Sequence, residues 1–332
     1  MTMRAKGYGS YRGRSPFKKL LKIIAIVTAI LVVLGVAAVI YLQQYLVISS
    51  DGVRLELPFF QQAETTDPPT VVPPDLPVVI TPEPTPTPTP EPEPTALHPV
   101  PLPQEALYDG TAVSQIEAAG GDSALFDMKA DSGALGYTST LELAVTAKLS
   151  ADDPPLNAAI RALNKTEGLY TIARVSCFKD HMITDYERSL SIFTNSDYRW
   201  TDLDGVRWIS PTNPDVRDYL TAICVELAEL GFDEILLDNA GYPGQGNLHY
   251  IKKGSAYDET QFSAVIDGFY SQAATALEQY DVKLSVVTTP EALAGTDTLT
   301  GQTPDNLARF SRLWMRDETG ALLPSESISE QP

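Results

Sequence analysis

The chain has 332 residues with 24 basic and 43 acidic side chains, which gives a formal net charge of -19. This acidic balance argues against binding to nucleic acid, whose phosphates attract cationic surfaces. The two cysteines, Cys177 and Cys224, are too few for a disulfide-rich scaffold; both lie in apolar segments, and we interpret them as buried small hydrophobic residues.

The first 42 residues have the pattern of a membrane anchor. An apolar run without charges extends from Ile23 to Leu42, about 20 residues, which is enough for a helix to cross the hydrocarbon core. Residues 1–22 contain seven basic and no acidic side chains, so the positive-inside rule predicts a cytoplasmic tail and an exported remainder. The alternative, a cleavable signal peptide, has an apolar region of only about 7 to 15 residues. We therefore predict a single-pass cell-membrane protein with residues 23–42 as an uncleaved signal anchor.

Residues 43–104 are predicted to form a juxtamembrane segment followed by a linker. Fifteen of the 26 prolines lie between Pro68 and Pro103. Proline lacks the amide donor that strands and helices require, so the alternation of Thr-Pro and Glu-Pro from Thr81 to Pro94 favours extended polyproline II. At about 3.1 Å per residue, such a segment would be a spacer of roughly 100 Å, suited to carrying a domain through a cell-wall layer.

Residues 105–332 alternate short apolar strands with helices. The clearest helix covers about Asp215 to Leu230, where Pro214 precedes the start, Gly231 follows the end, and apolar residues repeat at helical spacing. The alternation predicts an α/β domain with a parallel sheet, either a barrel or a doubly wound layer. The strand candidates are Ala106–Tyr108, Ala124–Met128, Leu169–Phe178, Glu234–Leu237, Leu284–Thr288 and Ser311–Met315.

The number of strands indicates an incomplete barrel. No glycine-rich phosphate loop follows any strand, which favours the barrel over the nucleotide-binding doubly wound sheet. About six strands are found, and a complete TIM barrel has eight. We therefore predict a TIM-barrel-like (β/α) domain whose open sheet edge is covered by a partner chain or by the carboxyl-terminal tail.

Charged residues follow four of the predicted strands, at the end where parallel barrels hold their active sites. Glycoside hydrolysis needs one neutral carboxylic acid and one ionised carboxylate at a single mouth. We expect Asp238 to be the nucleophile or charge stabiliser and Glu291 the general acid. Asp127, near the end of the strand Ala124–Met128, is a further catalytic candidate, and with Lys129 and Arg174 it is expected to bind hydroxyls and to adjust the two pKa values. Asp180 is expected to bind substrate. Asp180 could equally cap the next helix.

Four segments carry a family resemblance. In order, "ALFDMKADSGALGY", "GLYTIARVSCFKD", "WISPTNPDVRDYLTAICVELAELGFDEILLDNAGYP" and "TDTLTGQ" resemble the bacterial family described as "putative glycosyl hydrolase domain", a relative of the alpha-amylase-like barrels. The resemblance implies a barrel fold and glycoside hydrolysis. It places the acidic residue after the "GFDEI" strand at Asp238 and the D-x-K strand end at Asp127 and Lys129. The chain departs from the family pattern at Thr289, where an aspartate is expected, and at Gly241, where an arginine is expected.

Aromatic residues near the predicted mouth could stack on sugar rings. Tyr242, which closely follows Asp238, and Trp208 are the main candidates, with Trp200 and Tyr250 beside them. No cofactor is expected. His181 and His249 lack metal-ligand spacing with each other or with the cysteines, so no catalytic metal is expected either.

The sequence therefore predicts a membrane-anchored, extracytoplasmic glycoside hydrolase that acts on a polysaccharide of the cell envelope or the environment. Its expected partners are that glycan and the membrane, and not nucleic acid. The alternative is a catalytically inactive carbohydrate-binding or scaffolding module of the envelope, which the substitutions at Thr289 and Gly241 favour. In a third interpretation, the anchor and the linker are the function and the domain serves another envelope protein.

Overall fold

The computed structural model of the protein describes residues 97–325 and the backbone of residues 46–49 and 52–55. Strands β1 (Leu46–Ser49) and β2 (Gly52–Leu55) form an antiparallel hairpin in a compact unit separate from the domain described below. The predicted cytoplasmic tail and anchor, 1–42, lie outside the described residues. Within the described ranges, no helix has both the length and the hydropathy to cross a bilayer.

A seven-stranded sheet forms the centre of the domain. Its strands are hydrogen bonded in chain order, and the first six run parallel, whereas the last is antiparallel to its neighbour. The strands are β3 (Pro99–Pro101), β4 (Ser123–Lys129), β5 (Tyr170–Ser176), β6 (Glu234–Asp238), β7 (Lys283–Val287), β8 (Arg312–Arg316) and β9 (Leu322–Pro324).

Helices fill most of the connections between the parallel strands. The longest two are α5 and α6, which pack against one another on the outside of the sheet. The helices are α1 (Ala112–Ala119), α2 (Glu142–Thr146), α3 (Leu156–Leu163), α4 (Met182–Tyr186), α5 (Pro214–Glu229), α6 (Phe262–Leu277), α7 (Pro290–Leu293) and α8 (Pro304–Leu307). Single turns of 3-10 helix occur at Gln104–Leu107, Arg188–Leu190, Leu248–Tyr250 and Glu259–Gln261.

The sheet curls into a nearly closed barrel. Side chains alternate between the two faces of each strand, so every second residue points inward. One small apolar cluster unites side chains from strands that are far apart in the sheet order, namely Leu125, Ile172, Leu236, Trp314 and Leu322. The members of this cluster lie on β4, β5, β6, β8 and β9, so it extends across the inner face of the sheet. The larger apolar core lies between the outer face of the strands and the helices.

Five of the six predicted strands are confirmed within two residues of their ends, and so is the long helix. Pro214 is its first residue, and the Asn213 side chain accepts a 2.9 Å hydrogen bond from the backbone N–H of Asp215, so the helix begins where the sequence indicates. The predicted strand at Ala106–Tyr108 is wrong, because those residues fall in a 3-10 turn and its last flanking residue.

The true first strand, β3, lies within the segment predicted as linker. It reads Pro-Val-Pro, and an edge strand tolerates prolines because one side of its backbone needs no hydrogen bonds. The sequence count also missed β9, which folds back on β8 through a tight turn. The predicted incomplete barrel of about six strands therefore has six parallel strands and one antiparallel strand that extends the sheet.

Candidate active site

A cleft opens at the carboxyl ends of the parallel strands. Its volume is ≈ 1120 Å³, and its walls come from the loops after β5, β6 and β7 and from the β8–β9 hairpin. Six carboxylates and three cations line it: Asp131, Asp202, Asp204, Asp238, Asp317, Glu318, Arg174, Lys179 and Arg316. Placement at the carboxyl ends agrees with the general position of active sites in parallel barrels.

Arg174, near the end of β5, joins three carboxylates from neighbouring strand ends. Its Nε donates to Asp238 Oδ2 at 2.7 Å, its Nη1 to Asp127 Oδ1 at 2.8 Å and its Nη2 to Asp131 Oδ1 at 2.5 Å. Nη2 also lies 2.7 Å from Asp238 Oδ2, so the oxygens of Asp131 and Asp238 are no further apart than the sum of those two contacts. The expectation that acidic residues from successive strands meet at one edge of the barrel is therefore confirmed for Asp127 and Asp238.

Asp238 is the most enclosed of these carboxylates, with 3% of its side chain exposed. Its Oδ2 accepts from Arg174 and from Arg316, and its Oδ1 accepts from the backbone N–H of Asn239 at 2.8 Å. Asn239 has φ 47°, in the left-handed region that few residues other than glycine and asparagine adopt. Its side chain donates to Ser176 Oγ at 2.9 Å, which stabilises this turn directly after the strand.

The two other carboxylates on Arg174 have opposite pKa shifts. Desolvation raises the pKa of Asp127, Arg174 opposes this, and the charges of Asp131 and Asp238 raise it further. Asp131 is also desolvated, but Arg174 and Lys179 together lower its pKa below the usual value. One environment thus separates the pKa values of two neighbouring carboxylates, with Asp127 above and Asp131 below the usual value, and acid and base roles require such a separation.

A second ion-pair group lies on the β5 side of the cleft. Lys179 Nζ contacts Asp204 at 2.7 Å, Asp202 at 3.0 Å and Asp131 at 3.3 Å, so all three of its donors are directed at carboxylates. These contacts raise the pKa of Lys179, although desolvation opposes them, and its charge is therefore held in place. The group connects the 202–208 hairpin to the Arg174 cluster through Asp131.

Comparison with known protein families agrees with this geometry. The family model described as "putative glycosyl hydrolase domain" matches residues 108–310, which is more than half of the chain. The chain belongs to this family. The match confirms the predicted resemblance and agrees with the prediction of a glycosidase-type enzyme. Among curated proteins, no sequence matches the chain.

Several solved structures are similar to this glycosyl hydrolase domain. A hypothetical protein from Ruminiclostridium thermocellum ATCC 27405 is 22% identical over 57% of this chain and 95% of that chain, with a TM-score of 0.47. The glycoside hydrolase domain of PgaB (BpsB) from Bordetella bronchiseptica is 14% identical over 67% and 74%, with a TM-score of 0.46. The glycoside hydrolase domain of PelA from Pseudomonas aeruginosa is 12% identical over 71% and 75%, with a TM-score of 0.38.

Lys129 and Asp180, both predicted to bind substrate, form a buried ion pair away from the cleft lining. Lys129 Nζ lies 2.8 Å from Asp180 Oδ2, and neither side chain is exposed. The expectation that Lys129 shares a face with Asp127 is wrong, because a register shift pairs Asp127 with Arg174 but Lys129 with Val175. Asp180 Oδ1 accepts from the backbone N–H of Ile183, which agrees with the alternative role at the start of the next helix.

Glu291 lies outside the group that Arg174 assembles. It is exposed in the first turn of α7 and is not among the residues that line the cleft. Thr289, where the family pattern has an aspartate, does line the cleft, and its hydroxyl accepts from the backbone N–H of Ala292 at 3.2 Å. The structure therefore does not bring the predicted general acid Glu291 to Asp238.

The two predicted stacking residues border the cleft but are buried. One face of the Tyr242 ring packs on Phe262, with centroids 3.7 Å apart, and its hydroxyl lies 2.7 Å from that of Thr212. The indole of Trp208 donates to Asp202 Oδ2 at 3.0 Å. Both residues stabilise the walls, whereas Leu203 is a large apolar side chain of the lining that is exposed, and sequence analysis missed it.

Arg316 is the most informative residue that sequence analysis missed. It lies at the end of β8, after the last residue of the family match, and contacts Asp238. A side chain at Gly241 would place its Cβ 2.7 Å from the carbonyl oxygen of Thr300, so an arginine cannot occupy that position without moving the 300 loop. Arg316 directly follows the predicted strand Ser311–Met315, so the strand-end rule that identified Asp238 would also have identified Arg316.

Within the described ranges, no three His, Cys, Asp or Glu side chains are arranged to hold a metal ion. Four of the six cleft carboxylates, Asp131, Asp202, Asp204 and Asp238, are instead paired with Arg174, Lys179 or Arg316. Cys177 and Cys224 are both free and buried, which confirms their interpretation as small core residues.

Proposed function

We propose that residues 97–325 form a glycoside hydrolase that cleaves a polysaccharide in the cleft at the barrel mouth. The observation that carries the proposal is the Arg174 cluster, in which Asp127 and Asp238 bind one guanidinium. Because a guanidinium is small and planar, the bound oxygens of these two carboxylates are at most roughly 8 Å apart. This distance suits a reaction that uses two carboxylates on either side of a glycosidic bond.

In the proposed reaction, Asp127 is the general acid. Its raised pKa favours the neutral form, which can protonate the leaving oxygen, and half of its side chain is exposed. Asp238 is the ionised partner that attacks the anomeric carbon or stabilises its developing positive charge. Asp131 accepts hydrogen bonds from sugar hydroxyls beside the scissile bond, and Lys179 holds the Asp131 carboxylate in place. Asp127 thus replaces Glu291 as the proposed acid, because Asp127 shares the Arg174 guanidinium with Asp238 and Glu291 does not.

The decisive experiment measures reducing-sugar release by the full chain in detergent from laminarin, chitosan, carboxymethylcellulose and purified peptidoglycan. We expect release from at least one polymer by the parent and none by Asp238→Asn. The matched control is Asp281→Asn, an exposed carboxylate just before β7, at the opposite end of the barrel from the cleft. Equal rates for the parent and Asp238→Asn would contradict the proposal.

A second candidate function is glycan binding without turnover. It is favoured by the enclosure of Asp238, whose two oxygens already accept hydrogen bonds from Arg174, Arg316 and Asn239. Titration calorimetry with the same polymers distinguishes glycan binding without turnover from glycan hydrolysis. Binding by both the parent and Asp238→Asn, with no reducing-sugar release from either, would favour the binding module.

The proposed setting is the outer side of a cell membrane. The support for it is the sequence pattern alone: basic residues 1–22, the apolar run 23–42 and the proline-rich segment. We expect the full chain in the membrane fraction and a chain lacking residues 1–42 in the soluble fraction. Protease added to intact cells should remove the domain; full protection would contradict export.

A further inference from the structure

Arg316 is bound to the same carboxylate oxygen as Arg174. Both guanidinium groups contact Oδ2 of Asp238, whereas Oδ1 accepts one hydrogen bond, from the backbone N–H of Asn239. The two oxygens of this side chain are therefore unequal: one is held by two cations and the other by a single neutral donor. Donors on one oxygen fix the carboxylate plane and leave the other oxygen as the better-placed nucleophile.

The two arginines differ in the number of carboxylates that they contact. Arg174 shares its charge among Asp127, Asp131 and Asp238, so it leaves these three carboxylates with a net negative charge. Arg316 has Asp238 as its one carboxylate partner in the part of the chain that the structure describes. Its other contact is a 3.1 Å hydrogen bond from Nη1 to the carbonyl oxygen of Gly320, within its own hairpin.

The β8–β9 turn fixes where Arg316 points. Asp317 Oδ1 accepts hydrogen bonds from the backbone N–H groups of Thr319 and Ala321, at 2.8 and 2.9 Å. Gly320 has φ 87°, which favours glycine, and its carbonyl holds the guanidinium. The hairpin thus presents one cation to Asp238 from the β8 side of the cleft, opposite Arg174 on β5.

We propose that Arg316 is a positioning residue for the proposed reaction, and that with Arg174 it restrains Oδ2 of Asp238 so that Oδ1 is the oxygen that meets the sugar. This inference rests on the proposed function and adds a residue beyond the family match. It predicts that the loss of Arg316 affects the chemical step more than ground-state binding, because the restrained carboxylate matters most as positive charge develops on the sugar.

The test uses the full chain in detergent. The substrate is a polymer, among those named above, that the parent protein cleaves. For Arg316→Ala, we expect kcat to fall about thirtyfold while KM changes less than about threefold. Added guanidinium chloride at millimolar concentration should restore part of kcat to this variant, and Arg316→Lys should retain an intermediate kcat. The matched control is Arg309→Ala, which loses an ion pair to Asp267 outside the cleft and should show neither effect.

An unchanged kcat in Arg316→Ala, or a loss that guanidinium does not restore, would overturn the inference. A readout independent of activity is the melting temperature of Arg316→Gln in the parent and in Asp238→Asn. Because the two side chains are in contact, we expect a smaller loss of melting temperature in the Asp238→Asn background. Additive losses would overturn the Arg316 contact, whereas a parent that cleaves no polymer would overturn the proposed function, so the two failures are distinguishable.

Discussion

Two charged groups lie inside the same barrel, on the same strand and four residues apart. At the amino end of β6, Glu234 accepts hydrogen bonds from Tyr170 and Trp314, both at 2.8 Å, and pairs with Arg312. At its carboxyl end, Asp238 pairs with Arg174 and Arg316. Both carboxylates point inward and are almost fully buried, but only Asp238 lines the cleft.

The difference lies in how each carboxylate is bound. Glu234 accepts hydrogen bonds from one arginine and from two neutral donors. Around Arg174, three carboxylates compete for one guanidinium, and two of them have shifted pKa values in opposite directions. The first arrangement stabilises the fold, whereas the second gives neighbouring acidic groups unequal pKa values beside an opening, which is typical of active sites.

The largest expected effect is on activity at the cleft end. Replacing Asp238 by Asn removes the ionised partner but keeps its shape, so the rate of glycan cleavage should fall by at least about a thousandfold. Steady-state assays on a cleaved polymer, with circular dichroism to confirm folding, measure this. A fall in the cleavage rate of less than tenfold would contradict the functional difference between Asp238 and Glu234 at the two ends of β6.

At the amino end of β6, away from the cleft, we expect a large effect on stability and a small effect on activity. Glu234→Gln breaks a fully buried ion pair and leaves Arg312 with a weaker partner, so the free energy of unfolding should fall by about 3 kcal/mol. The kcat of the folded variant should stay within about twofold of the parent, because this group lies away from the barrel mouth. Denaturant titration measures the free energy of unfolding. A large fall in kcat with unchanged stability would contradict a structural role for Glu234.

The proposed acid can be tested through pH. Because the pKa of Asp127 is raised, its neutral form persists to higher pH than an ordinary aspartic acid, and activity should fall as pH rises through that pKa. Asp127→Asn should cost about a hundredfold in kcat and abolish this alkaline limb. Profiles of kcat/KM against pH for the parent and the variant test this assignment. An alkaline limb that survives in Asp127→Asn would exclude Asp127 as the acid.

The smallest effect concerns stability in acid. The lowered pKa of Asp131 means that its stabilising contribution is present above the usual value of 3.8 and is lost as pH falls through the folded-state pKa. Since a third of the side chain is exposed, screening reduces the effect, and Asp131→Asn should lower the melting temperature at neutral pH by only about 1 to 2 °C. The melting curves of parent and variant should converge in acid; a difference that persists there would refute this account.

Much of the barrel follows from local sequence pattern. Strands β4 to β8 are apolar runs between helices, and their carboxyl ends identify Asp127, Arg174 and Asp238 directly. The position of Lys129 could not be predicted, because a one-residue register shift after Asp127 leaves no signal in the alternation. Lys179 and Asp202 lie in a long loop whose path depends on tertiary contacts, although Lys179 stands beside Asp180 in a segment that carries the family resemblance.

The reversal at β9 also decides where the described chain enters and leaves the barrel. Strand β3 begins at the amino ends of the parallel strands, and β9 runs from the mouth back toward that same end. Residue 97 therefore lies at the end opposite the cleft, whereas residue 325 lies only two residues after Leu323, which lines the cleft. A fluorescent reporter or a solid support attached on the side of residue 97 would leave the cleft open to a long polymer.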